Sequence, residues 1–246
     1  MITLARESAK IIRSLWYTAE SACVLCSGKH GPICPDCTRE YLHPELGRCL
    51  RCGKLIVPEK VLCLDCEIGK GPKQLERVAV WGHYSGGLKR FIRELKFAST
   101  PLHFQRIARP LTDWAIKALP AVDGVVAVPM HPARLAERGF NQAEVIASLL
   151  HWELGLPIFQ GLERVKLTPP QVALSRRERL SNLKGAFALR KPDSFQGREV
   201  WIVDDVTTTG STLEAVAEVL RGNGAKAVYG FCLAAGLEKV LVPLSD

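Results

Sequence analysis

No apolar run in this chain approaches the ~20 residues that a bilayer-spanning helix needs. The N-terminus lacks the continuous apolar core and small-residue cleavage site of an export signal. A membrane-spanning protein is excluded, and a secreted one is not expected. The sequence also offers no recognisable general base and no motif for reading a nucleobase. Residues 20–70 show little helical or strand periodicity, and so short a stretch does not build a core unaided. Acidic side chains are scarce in one long segment. From Arg164 to Lys191, Glu178 stands alone against Arg164, Lys166, Arg176, Arg177, Arg179, Lys184, Arg190 and Lys191. Such runs are ordinarily solvated faces.

The chain is 246 residues long and 47% hydrophobic, enough for one α/β domain and a small extra module. Eight of its nine cysteines form four Cys-x-x-Cys pairs: Cys23/Cys26, Cys34/Cys37, Cys49/Cys52 and Cys63/Cys66. Each pair offers two thiolates to one metal, and two pairs complete a tetrahedral zinc site. A disulfide framework belongs to exported proteins, and a redox Cys-x-x-Cys ordinarily stands alone beside a βαβ unit. Four pairs in succession therefore point to about two structural Zn²⁺. Sequential pairing is expected, as Cys23/Cys26/Cys34/Cys37 and Cys49/Cys52/Cys63/Cys66. A cross-braced pairing or a single site stays open, as does substitution by His30 or His43. Cys232 reads as a core residue. The formal charge of +8 falls to about +4 once two Zn²⁺ are held by eight thiolates, which weakens overall basicity as an argument for nucleic acid. A second basic cluster, Lys89, Arg90, Arg93, Lys96 and Arg106, faces only Glu94.

Along the chain, residues 3–19 carry the spacing of an amphipathic helix, giving a segment 1–19 ahead of a zinc module over 20–70. Gly69-Lys70-Gly71-Pro72 reads as the linker out of it, and residues 71–246 as the main domain. Strands are expected over 76–84, 125–129, 156–160, 200–205 and 227–234. Helices are expected from Gly87 to Phe97, over 103–119, from about 141 to 153, and after Thr212. Residues 166–183 read as a long polar flap. Strands alternating with helices imply a mainly parallel sheet with helices on both faces.

The most informative stretch is Val200 to Thr212. An apolar strand ends in Asp204 and Asp205. Val206, Thr207, Thr208, Thr209, Gly210, Ser211 and Thr212 follow, and then a helical pattern. Such a loop aims N–H groups and hydroxyls at a phosphate, and the helix dipole adds to it. The carboxylates at a strand's carboxyl end suit sugar hydroxyls or a divalent cation. The ligand class expected is a sugar phosphate. This segment resembles the phosphoribosyl pyrophosphate (PRPP) signature of type I phosphoribosyltransferases.

Three further blocks resemble the ComF family. One is Pro129 to Gln142, with its Arg134, Arg138-Gly139-Phe140-Asn141-Gln142 spacing. Another is Tyr84-Ser85-Gly86-Gly87-Leu88-Lys89 with Leu95-Lys96-Phe97. The third is Thr168 to Gln171 with Arg179, Asn182, Gly185 and Phe187. The zinc-ribbon N-terminus agrees. The resemblance spans roughly residues 20–235. It implies a cytoplasmic protein with a type I phosphoribosyltransferase-like α/β domain and a link to DNA uptake or recombination. By the same resemblance Asp204 and Asp205 hold the ribose hydroxyls, and Val206 to Thr212 take the 5′-phosphate. Pro129, Met130 and His131 occupy the pyrophosphate loop. Arg134 and Arg138 neutralise pyrophosphate, and Thr168, Gln171, Arg177 and Arg179 belong to the flexible loop. Two function classes follow: a Mg²⁺-dependent phosphoribosyltransferase of unidentified acceptor, and a protein that handles single-stranded DNA or competence partners and uses the phosphate pocket for binding or regulation.

Overall fold

The computed structural model describes residues 22–28, 31–94, 102–167, 182–190 and 195–238. The expected helix over 3–19 lies outside them, as do Thr168, Gln171, Arg177, Arg179 and His30. In chain order the elements are β1 (Gly47–Arg48), β2 (Leu55–Ile56), β3 (Arg77–His83), α1 (Gly86–Glu94), α2 (Leu102–Ala118), β4 (Gly124–Ala127), α3 (Pro132–Arg138), α4 (Gln142–Leu154), β5 (Leu162–Arg164), β6 (Phe187–Leu189), β7 (Glu199–Thr207), α5 (Ser211–Gly222) and β8 (Ala227–Ala235).

Among the described residues the main sheet is parallel throughout, in the order β3-β8-β7-β4. Strands covered on both faces read as unbroken apolar runs, which is why Val200-Trp201-Ile202-Val203 shows no polar alternation. Successive side chains still go to opposite faces. Trp201 and Val203 join Ala79, Trp81, Ile107, Leu111, Ile146, Leu150 and Phe231 under α2 and α4. Val200 and Ile202 join Val78, Val80, Leu213, Val216, Leu220 and Phe195 under α5. Trp201 stacks on Phe231 at 6.2 Å between centroids, and its indole N–H donates to the Pro120 carbonyl at 3.0 Å. Truncating it to alanine would cost about 3–5 kcal/mol by the usual scale for buried aromatics.

One expectation is corrected. Residues 156–160 do not form a strand. Only Ile158 bridges Val125, through Val125 N–H to the Pro157 carbonyl and Phe159 N–H to the Val125 carbonyl, both 2.8 Å. Pro157 has no N–H with which to extend a ladder. The turn expected over Pro129 to His131 runs straight into α3, with Pro132 at the helix's first position and Gly139 closing it at φ 81°. The polar stretch expected over 166–183 is entered and left through an antiparallel hairpin, β5 with β6. Three-residue strands are too short to show a period.

The cysteine module lies against the edge strand β3. Arg48 is the fastener. Its guanidinium donates to the carbonyls of Leu42, His43, Leu46, Val80 and Trp81, so one half-buried cation ties the module to the sheet. The Gly53 Cα lies so close to β3 that a Cβ there would come within 2.2 Å of Val80.

Candidate functional site

β7 carries Asp204 and Asp205 to the carboxyl end of the sheet. Each carboxylate accepts the next backbone N–H: Asp205 N–H to Asp204 Oδ1 at 2.9 Å, and Val206 N–H to Asp205 Oδ1 at 2.7 Å. Asp204 keeps some accessible surface as a residue, but its carboxyl is desolvated. Burial first, and then the adjacent Asp205, push it well above the ordinary carboxylate range; Arg164 acts the other way. Ionising both of two adjacent carboxylates costs more than ionising either alone, and a bound cation would offset that cost.

The hydroxyl loop is shorter than the sequence suggested. Val206 and Thr207 still belong to β7, Thr208 to Gly210 bend, and Ser211 and Thr212 already open α5. Thr209 Oγ1 and Ser211 Oγ share a hydrogen bond of 2.7 Å. Gly210 takes φ 76° at the N-cap and so provides no side-chain cap to the helix. The first N–H groups of a 12-residue helix therefore face the bend. Such an arrangement can hold an anion.

Across the sheet's carboxyl end, Pro129, Met130 and His131 follow β4. The His131 ring accepts the Ala133 N–H at 3.3 Å and so caps α3. Asn141 is buried. Its amide donates to the Val128 carbonyl at 2.9 Å, and its oxygen caps Ala143 at 3.1 Å. The Asn of the Arg-Gly-Phe-Asn-Gln motif thus pins the loop 129–140 to the end of β4. Arg138 is exposed, whereas Arg134 is partly covered.

Two participants were not assigned from sequence. Arg164 ends β5, opposite Phe187, with its guanidinium 5.5 Å from that ring. Burial, and then the charge of Arg134, pull it below its ordinary value, while Asp204 pushes it back up. Arg164, Arg134 and Asp204 therefore share one electrostatic neighbourhood, with two cations beside the acidic pair. Tyr84, just past β3, feels Asp205: burial first and that carboxylate second raise its phenol. Lys89 lies 5.7 Å from the Tyr84 ring. The Tyr84–Lys89 motif was visible in sequence, but its place at the acidic pair depends on strand order.

The eight knuckle cysteines gather into two groups, Cys23/Cys26/Cys34/Cys37 and Cys49/Cys52/Cys63/Cys66, each with its Sγ atoms within 4.8 Å of one another. Four thiolates around a Zn²⁺ with bonds of about 2.3 Å stand roughly 3.8 Å apart. Cys26 and Cys34 are 3.8 Å apart and Cys52 and Cys63 3.6 Å, so both sets fit the ion. Desolvation opposes ionisation of Cys23, yet N–H groups of Cys34, Leu25 and Cys26 bring its thiol down to about 7. His43 bonds Glu45 at 3.0 Å and belongs to neither group.

A parallel α/β sheet whose acidic pair, hydroxyl bend and uncapped helix follow one another at its carboxyl end defines a phosphoribosyltransferase-type domain, here carrying two Cys₄ groups. A family model described as the phosphoribosyl transferase domain matches residues 135–245. The chain is 34% identical over 221 residues to the DNA utilization protein YhgH of Salmonella typhi, covering 87% of this chain and 88% of that one. It is 30% identical over 225 residues to Competence protein F of Haemophilus influenzae, covering 86% and 96%. With Competence protein ComFC of Streptococcus pneumoniae it shares 27% over 214 residues, covering 87% and 92%. The chain belongs to the ComF family of competence and DNA utilization proteins. No helix among the described residues is long and apolar enough to cross a membrane.

Proposed function

We propose that the cleft at the carboxyl ends of β4 and β7 binds PRPP with Mg²⁺ and transfers its phosphoribosyl group to an acceptor of unidentified structure. One observation carries the reading: the acidic pair and the uncapped N-terminus of α5 are consecutive, so a carboxylate site and an anion cradle stand one bend apart. A ribose 5-phosphate needs that juxtaposition. Asp204 and Asp205 take the ribose hydroxyls, and Thr207 to Thr212 the phosphate. Arg134 and Arg164 face the diphosphate, whose charge grows as the C1–O bond breaks. Mg²⁺ would bridge the ligand and neutralise the diphosphate. Arg138 remains a candidate for the diphosphate, and Thr168, Gln171, Arg177 and Arg179 for closing over the ligand. The same reading places the protein in the cytoplasm, where thiols stay reduced.

Calorimetry of the full chain with PRPP and Mg²⁺ tests it. Asp204→Asn with Asp205→Asn keeps shape and removes charge, and should weaken binding by a few kcal/mol, the scale of lost charged hydrogen bonds. Unchanged affinity in that double variant rejects the assignment.

A second activity is supported by the names of the relatives and by the basic stretch from Arg164 to Lys191: binding of single-stranded DNA. Neutralising Arg176, Arg177 and Arg179 should flatten the salt dependence of that binding by up to about two units of log–log slope, at ~0.7 per lost phosphate contact. A slope equal to the parent's removes DNA from this segment.

A further inference from the structure

The linker out of the cysteine module does more than connect. Gly71 lies against the second cysteine group so closely that a Cβ there would stand 2.5 Å from Cys66 Sγ. The next residue, Pro72, is buried against Gly210, where a Cβ would meet Pro72 Cγ at 2.5 Å and Cys52 Cβ at 3.7 Å. Two further residues of the linker are held by the same helix. The Glu214 carboxylate accepts the Lys73 N–H at 2.9 Å and the Gln74 N–H at 3.0 Å. A continuous line of van der Waals contact thus runs from Cys66 through Gly71 and Pro72 to the bend that presents the N–H groups of α5.

The other side of the same cysteine group is equally anchored. Leu55 N–H donates to the Gly236 carbonyl at 3.1 Å, and Glu238 N–H donates to Leu55 at 2.9 Å. The buried Glu238 carboxylate accepts the Leu64 N–H at 2.7 Å, just inside the Cys63–Cys66 knuckle. The group is therefore clamped to the end of β8 and to the start of α5 at once. Close-packed contacts of this kind transmit displacement rather than absorb it.

We propose that the second cysteine group is a positioning element of the phosphate site: with its metal bound, it presses the Gly71-Pro72 strap against Gly210 and fixes the Thr208–Gly210 bend for anion binding. The proposal rests on the reading of that bend as a phosphate site. Glu214, Gly71 and Pro72 are positioning residues and touch no ligand. Loss of the metal frees Cys52 and Cys66, slackens the strap and lets the bend leave its binding geometry. Linkage is reciprocal, so a phosphate ligand must in turn hold the metal more tightly.

The test follows zinc release from the full chain to a chromogenic chelator, with ribose 5-phosphate as probe and its binding measured in parallel by calorimetry. In the parent, saturating ribose 5-phosphate should slow release of one of two zinc equivalents several-fold and leave the other unchanged. Glu214→Ala, which removes the acceptor of both linker N–H groups, should keep two zinc per chain. It should lose most of that protection and bind the probe about fivefold more weakly. Gly71→Ala, wedged against Cys66, should release one equivalent faster and weaken the probe in parallel. Protection that is absent in a parent that binds the probe overturns the coupling while sparing the phosphate reading. A parent with two zinc that binds neither ribose 5-phosphate nor PRPP overturns both. Full protection retained in both variants removes the strap from the mechanism.

Discussion

The two cysteine groups have the same ligand set and opposite surroundings. In the first, Cys26 is exposed, and the group rests on helices: Arg90 and Arg106 donate to the Leu25 and Ala22 carbonyls, and Gly87 lies against Leu25. In the second, all four cysteines are buried and form a small core with Ile56, and the neighbours are the sheet end and the bend ahead of α5. Equal chemistry therefore gives unequal consequence. What a knuckle does is decided by the residues beside it, Leu25 and Gly87 in one case, Gly71 and Gly210 in the other.

The sharpest way to break this comparison is to delete each metal in turn. Cys63→Ser with Cys66→Ser should remove one zinc, unseat β2 from Gly236 and abolish binding of ribose 5-phosphate. Cys23→Ser with Cys26→Ser should also remove one zinc, and destabilise the packing on α1, yet leave the probe's affinity within about twofold. Structural Zn²⁺ contributes on the order of 10 kcal/mol to its own module, so both variants must first be shown by circular dichroism to retain the sheet. Equal loss of ligand binding from both would erase the distinction.

The acidic pair offers the opposite signature. Removing the second metal costs ligand and stability together, whereas Asp204→Asn should cost ligand and raise stability. The sign follows from its raised folded-state pKa, caused first by burial and then by Asp205. The folded state holds the Asp204 proton more tightly than the unfolded chain does. That contribution is complete below the ordinary Asp value of about 3.9 and is lost as pH rises through the raised folded value. The parent's melting temperature should therefore fall with pH over this window, and the Asn variant's should fall less. Mg²⁺-PRPP binding should release a proton, visible as a dependence of the calorimetric enthalpy on the buffer's ionisation enthalpy. An Asn variant that melts lower than the parent at pH 8 would show that the pair is not strained by burial.

Much of this was legible in the sequence, for identifiable reasons. Val200 to Thr212 declares strand, acidic pair, bend and helix within one local stretch. The cysteine groups follow from spacing, since a Cys-x-x-Cys turn can hardly do otherwise than point two sulfurs inward. What escaped was non-local. Arg164 looked like one cation in a basic run; only the β5–β6 pairing brings it beside Asp204 and Arg134. Tyr84 meets Asp205 because β3 joins the sheet beside β8. Gly71-Pro72 reads as a linker in any sequence, and its contact with Gly210 depends on how the module sits on the sheet. The His131 ring, expected at the pyrophosphate loop, is occupied in capping α3.

The smallest expected effect sharpens the comparison from the far side of the cleft. Arg164→Lys keeps the charge beside Asp204 but loses the planar fork and its packing on Phe187. Inorganic pyrophosphate, which would need the fork, should bind about tenfold more weakly, the scale of one charged hydrogen bond. Ribose 5-phosphate, which the proposed reading seats at the other end on Thr207 to Thr212, should bind as before. Its protection of zinc should also persist, because the strap reaches Gly210 and not the β5–β6 hairpin. If instead the substitution weakens ribose 5-phosphate and unprotects the zinc, the cleft behaves as one cooperative unit, and the second cysteine group does not act through the bend alone.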